Sequence, residues 1–156
     1  MKRTVVVMMV LIVSLLAGCA GTSRPPQERQ RTSALFSAGK DRVWELVVSA
    51  VATNFPVQAI EKESGLIATE FVSMPAGYNN ARMAEFVYPP SVFLGTWAGL
   101  RMSMRVLVNE VSAEMTSVAI TAHYEALESN VTKSWMVAET NGALENKILT
   151  KIESQL

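Results

Sequence analysis

Cys19 is the only cysteine of the chain, and it follows Leu16-Ala17-Gly18 at the end of an apolar run. A lone thiol has no intramolecular disulfide partner, so its chemistry is either that of an exposed reactive sulfur or that of a covalently modified one. His123 is the only histidine and Asp41 the only aspartate. On paper these two and a serine make a hydrolytic triad, but there is no Gly-x-Ser-x-Gly elbow, and His123 occupies a polar position of an alternating segment. A surface strand residue is the simpler reading of His123. With no second histidine, and Cys19 acylated on the reading below, no metal-ligand set is expected. No glycine-rich phosphate cradle or dinucleotide fingerprint occurs, so no cofactor is expected either. Glu61, Glu63 and Glu70 flank a turn and read as a solvated edge rather than as an acid–base pair. The chain is expected not to be an enzyme.

The segment before Cys19 explains the thiol. Met1-Lys2-Arg3-Thr4 is a basic start, Val5 to Leu16 is apolar except for Ser14, and Ala17 and Gly18 are small. This is signal-peptide anatomy, too short for the roughly 20 apolar residues of a spanning helix. Leu16-Ala17-Gly18-Cys19 resembles a bacterial lipobox. The resemblance implies cleavage before Cys19 and attachment of three acyl chains. Each buried methylene contributes about 0.8 kcal/mol and a single chain is marginal, so several chains form a practically permanent anchor. Ala20 stands where lipoproteins kept in the inner membrane often carry Asp, which by the same resemblance implies the outer membrane, with the domain facing the periplasm.

The expected organisation is a signal peptide over residues 1–18, a lipidated Cys19 with a flexible tether to residue 32, and one domain over residues 33–156. Loss of Lys2 and Arg3 with the leader takes fourteen basic residues to twelve, against fourteen acidic ones. That balance offers no basic face and excludes the usual nucleic-acid binder. Without a second cysteine the domain is held by packing, not by disulfides. Gly21 to Thr32 is polar, with Pro25-Pro26 in its middle, and cannot bury enough surface to offset its ordering entropy. It reaches at most roughly 40 Å when extended.

The elements follow from periodicity. Thr32 to Ser37 reads as a short strand. Lys40 to Asn54 places Val43, Trp44, Val47 and Val51 on one helical face, with Ser37 or Asp41 as candidate caps. Val57 to Lys62 and Leu66 to Val72 read as strands around a turn that uses Gly65. From residue 73 to 99 the pattern dissolves into a long aromatic loop. From Leu100, Met102, Met104, Val106 and Val108 alternate with Arg101, Ser103, Arg105 and Leu107. After a turn at Ser112-Ala113, Val118, Ile120, Ala122 and Tyr124 alternate with Ser117, Thr121 and His123, and these two segments predict half-buried antiparallel strands. Met102 and Met104 read as core. Glu128 to Lys133 is turn-like, and Trp135 to Val137 is expected to lie as a lid on the core. A final helix starts near Thr140 or Asn141, with Leu144, Ile148, Ile152, Leu149 and Leu156 inward and Glu145, Lys147, Lys151 and Glu153 outward.

This order, β-α-β-β-loop-β-β-α, predicts an α+β, helix-grip-like domain with an antiparallel sheet packed on a long C-terminal helix. Arg42-Val43-Trp44-Glu45-Leu46, Val57-Gln58-Ala59-Ile60 and Ser64-Gly65-Leu66-Ile67-Ala68-Thr69 resemble the BamC (NlpB) group of outer-membrane assembly lipoproteins and related small lipoproteins, across residues 35 to 72. The resemblance implies the helix-grip fold and a role in the envelope. BamC-type proteins carry two such domains behind a long partner-binding segment; here there are one domain and a short tether, so no binding residues carry over.

The expected function is therefore that of a membrane-anchored, non-enzymatic lipoprotein that binds another envelope protein as an accessory or scaffold module. Tyr78, Arg82, Phe86, Tyr88 and Trp97 in the long loop, with Phe93 beside them, are candidate contacts, because rigid aromatic groups and arginine are enriched at interfaces. An equal alternative is that they cover one end of the sheet. The competing function is a lipid or small hydrophobic ligand binder, using a cavity between the sheet and the C-terminal helix.

Overall fold

The computed structural model describes residues 28–74 and 80–156. The leader, Leu16 to Cys19, the tether as far as residue 27, and Tyr78 lie outside the described residues. In chain order the elements are β1 (Ser33–Phe36), α1 (Lys40–Ala52), β2 (Val57–Glu61), β3 (Leu66–Thr69), β4 (Val72–Ser73), the one-turn α2 (Asn80–Met83), β5 (Val87–Tyr88), β6 (Trp97–Ser112), β7 (Met115–Glu128), β8 (Trp135–Thr140) and α3 (Ala143–Glu153). The fold is α+β, with eight antiparallel strands among the described residues in the order β2-β3-β6-β7-β8-β5; β1 joins β7 and β4 joins β6.

The β6–β7 hairpin is the frame. Met104 faces Ala122, Val106 faces Ile120 and Val108 faces Val118, so the apolar sets of both strands fall on one side of the sheet. There α1 and α3 pack against β6, β7, β1 and each other. Val43, Trp44, Val47 and Val51 of α1, Ile148, Leu149 and Ile152 of α3, and the alternating residues of β6 and β7 form one core. Burial of these faces is what holds two helices whose own propensities are modest. Arg101, Ser103, Arg105, Thr121 and His123 point to the uncovered side, as the alternation predicts.

Gly65 and Gly142 both have positive φ, 72° and 82°. A Cβ on Gly65 would collide with the carbonyl of Val108, and one on Gly142 with the carbonyl of Gln30. Only glycine meets both demands, the left-handed backbone and the close approach. Gln30 donates its N–H to the Asn141 carbonyl at 2.9 Å, which brings the incoming chain to the start of α3.

Several sequence expectations change. Trp135 to Val137 is not a lid but the start of β8. β1 pairs only with Thr116 to Ala119, which leaves Tyr124 to Leu127 of the long β7 free to take β8. The 73–99 segment is not structureless, since it contains α2, β5 and the first residues of β6. The residue before α1 is Gly39, with no side-chain cap, while Asp41 lies in the first turn and bridges Lys62 at 2.8 Å. At α3 the cap position falls on Gly142, without a side-chain cap, and the expected cap Asn141 lies one residue earlier, its Oδ1 accepting the Ala143 N–H at 2.9 Å. Glu145 points inward rather than outward, buried and accepting the Thr140 hydroxyl at 2.9 Å. Leu156 lies past the end of the helix, exposed.

Candidate functional site

Of the residues singled out in the long loop, the structure takes some into the core. Trp97 is only 8% exposed, and Phe86 packs partly buried against the core between Met83 and Val87, which are fully buried. Tyr88 is half-buried on β5, and Arg82 is exposed on α2. Part of the segment thus covers one end of the sheet. What projects instead is the turn between β5 and β6, where Phe93 is 88% and Leu94 70% exposed. Phe93 belongs to the same aromatic loop, but only the tertiary structure separates it from its buried neighbours.

The loop is held from below by Glu128, the last residue of β7. Its Oε1 accepts the N–H of Thr96 at 2.9 Å and of Asn130 at 2.8 Å; its Oε2 accepts the N–H of Val131 at 2.8 Å and of Lys133 at 3.3 Å, and also that of Thr132. The Thr132 hydroxyl adds a further bond at 3.1 Å. Burial by itself would push this carboxyl up, but the backbone donors of Thr96, Asn130, Thr132 and Val131 outweigh it and lower the pKa to about 2. The side chain is an anion at any physiological pH, enclosed by N–H dipoles.

One carboxylate therefore staples two loops, 89–96 and 129–134. Asn130 donates its side-chain amide to the Leu94 carbonyl at 2.9 Å, and Ser129 donates its N–H to the Thr96 carbonyl at 2.8 Å. Leu94 and Lys133, the non-glycine residues with positive φ among the described ones, at 58° and 51°, sit one in each loop. Such backbone persists only where its surroundings over-determine it. The surface carried by the stapled loops is Phe93, Leu94 and Val131, the last 55% exposed. Phe93 and Leu94 thus stand as an exposed apolar pair on a turn that the Glu128 carboxylate holds in place.

The residues considered for chemistry are kept apart. Asp41 pairs with Lys62, whereas His123 Nε2 lies 3.3 Å from Glu125 on the uncovered sheet face. There Arg101 stacks between Phe71, 4.9 Å from the ring centroid, and Trp135 at 4.4 Å, while its Nε donates to Glu125 at 2.6 Å. The guanidinium holds Glu125 below the usual carboxylate range against the opposing effect of burial, with His123 adding to it. Glu61, Glu63 and Glu70 are exposed. No group of three or more His, Cys, Asp or Glu fit to hold a metal occurs among the described residues.

The side chains expected to line a cavity under the last helix, Met104, Val106, Val118, Ile120, Ile148 and Ile152, are buried in the common core. Leu144 packs half-buried against that core and, with Ile148, also lines a groove of about 600 Å³ between α1 and α3. No family model matches this chain, and no curated protein sequence matches it.

Proposed function

We propose that this chain is a BamC-like, helix-grip lipoprotein of the bacterial outer membrane, anchored through acylated Cys19, that acts as a non-enzymatic accessory module by binding another envelope protein. The observation that carries the binding role is the Phe93–Leu94 tip, an exposed apolar pair on a turn that buried Glu128 holds in shape. Exposed large apolar side chains on a rigid support are what an interface centre requires, because little ordering entropy remains to be lost on binding. The antiparallel sheet with a C-terminal helix across one face supports the helix-grip assignment, and the Leu16-Ala17-Gly18-Cys19 sequence supports the anchor. Of the earlier candidates, Tyr88 pairs with Glu139 beside the end of β8, away from the tip, and is not part of it.

The test is photocrosslinking in intact bacterial cells, with a photoreactive residue at Phe93 and a control at exposed Glu114 on the β6–β7 turn. Capture of one discrete envelope protein at Phe93 but not at Glu114 is expected. Identical, diffuse patterns at both positions would remove the binding role. Cys19→Ser should in addition release the protein from the membrane fraction, and retention of that variant would remove the anchor.

A second reading, as a hydrophobic ligand binder, is favoured by the α1/α3 groove, whose apolar wall lies on the solvent side of the helix layer rather than under it.

A further inference from the structure

The groove is formed by Ala50, Asn54 and Phe55 at the end of α1 and by one side of α3 from Leu144 to Ser154. Ala50 and Ile148 form its buried floor, and Phe55 and Leu144 its half-buried apolar walls. Lys147 and Lys151 also line it. They are four residues apart on one helical face, where like charges repel and cost the helix a few tenths of a kcal/mol. Neither has a carboxylate partner among the described residues, and no carboxylate lines the groove. Both acids of α3 are engaged elsewhere, Glu153 by Arg31 at 2.6 Å and Glu145 by Thr140.

Nor do the lysines serve the facing end of α1. Three carbonyls at that end are already engaged, that of Ser49 by the Thr53 hydroxyl at 2.7 Å, that of Ala50 by the Asn54 amide at 2.8 Å, and that of Val51 by the N–H of Phe55 at 2.9 Å. Two uncompensated cations therefore stand over an apolar trough. Its volume of about 600 Å³ lies within the range of small-molecule sites. From Leu144 to Ser154 it runs about 15 Å along the helix, the reach of an acyl chain.

We propose that the α1/α3 groove binds a single-chain anionic amphiphile of the fatty-acid class, its chain over Leu144, Ile148 and Phe55 and its head group between Lys147 and Lys151. Apolar area and charge are both complementary to such a molecule, whereas a neutral ligand would leave the lysines unanswered. The site is separate from the Phe93–Leu94 tip and stands whether or not the tip binds a protein.

The experiment uses the full-length protein in membranes, incubated with a diazirine-bearing palmitate analogue, irradiated and digested for mass spectrometry. Label that needs light is expected on peptides holding Leu144 to Lys151 and is expected to be competed by excess oleate. Samples kept dark give the background, which is subtracted. The Lys147→Gln, Lys151→Gln double variant should lower groove labelling about tenfold or more. Leu144→Trp, which fills the trough and keeps both charges, should abolish it. Cooperative melting of each variant establishes that it is folded. Light-dependent adducts confined to other surfaces, or equal groove labelling in wild type and both folded variants, would overturn the proposal; so would capture of a partner peptide across the groove in place of the probe.

Discussion

The Glu128 carboxylate accepts the backbone N–H of Thr96 at 2.9 Å across 32 residues of sequence. Through that bond the end of β7 determines where the turn before β6 stands, and so where Phe93 and Leu94 point.

Replacing Glu128 by Gln keeps the shape but supplies one acceptor oxygen and two unwanted donors where five N–H groups converge. The variant should melt several degrees lower and exchange the amide protons of 94–96 and 130–133 faster. The pH dependence has a definite sign. The folded carboxyl lies at about 2 against an ordinary value of 4.5, so its contribution is complete above 4.5 and is lost as pH falls towards 2. Wild type should lose stability across that window, and the difference between wild type and Glu128→Gln should shrink in step, as measured by urea titrations at stepped pH.

Leu94 is largely exposed, so its strained φ of 58° is not offset by packing of its side chain. Leu94→Gly should therefore raise stability by about 0.5–1 kcal/mol, relief of the left-handed backbone outweighing the entropy of glycine. The same change should weaken capture of a partner at the tip. Thermal melts beside the crosslinking assay separate the two effects.

Gly142→Ala meets both a left-handed backbone and the carbonyl of Gln30. A loss of about 2 kcal/mol or more is expected in urea unfolding. Gln30 and the start of α3 should become more accessible to protease in this variant, because the two segments can no longer touch.

Trp97→Ala discriminates between a contact residue and a core residue. Buried beneath the sheet end, Trp97 should cost about 3–5 kcal/mol on truncation. Phe93→Ala should leave the melting temperature within a degree or two, since a side chain this exposed buries little, and should act only on partner capture.

Residues Leu100 to Tyr124 were legible in sequence because strict alternation allows one arrangement. A register slip by one residue would turn Met102, Met104, Val106 and Val108 to solvent. The faces of α1 and α3 were legible for the same reason at helical spacing, with two exceptions: Glu145, whose partner Thr140 precedes the helix, and Leu156, which lies beyond its end. β4, β5 and β8 were not legible. Strands of two residues carry no period, and β8 exists because β7 outruns β1, a fact of pairing lengths across the sheet.

The sequence by itself determined the α+β class, the central hairpin, the C-terminal amphipathic helix, the demand for glycine at position 65 and the single thiol at Cys19. Each is encoded locally, in spacing or in the conformational range of one residue. The tertiary structure alone decided which aromatics of the 73–99 segment are core and which are surface, and that Glu128 joins two loops far apart in sequence. It also decided that Lys147 and Lys151 overlook a groove shared with α1. Burial and hydrogen bonding between distant segments depend on how the elements are brought together, and no local pattern records that.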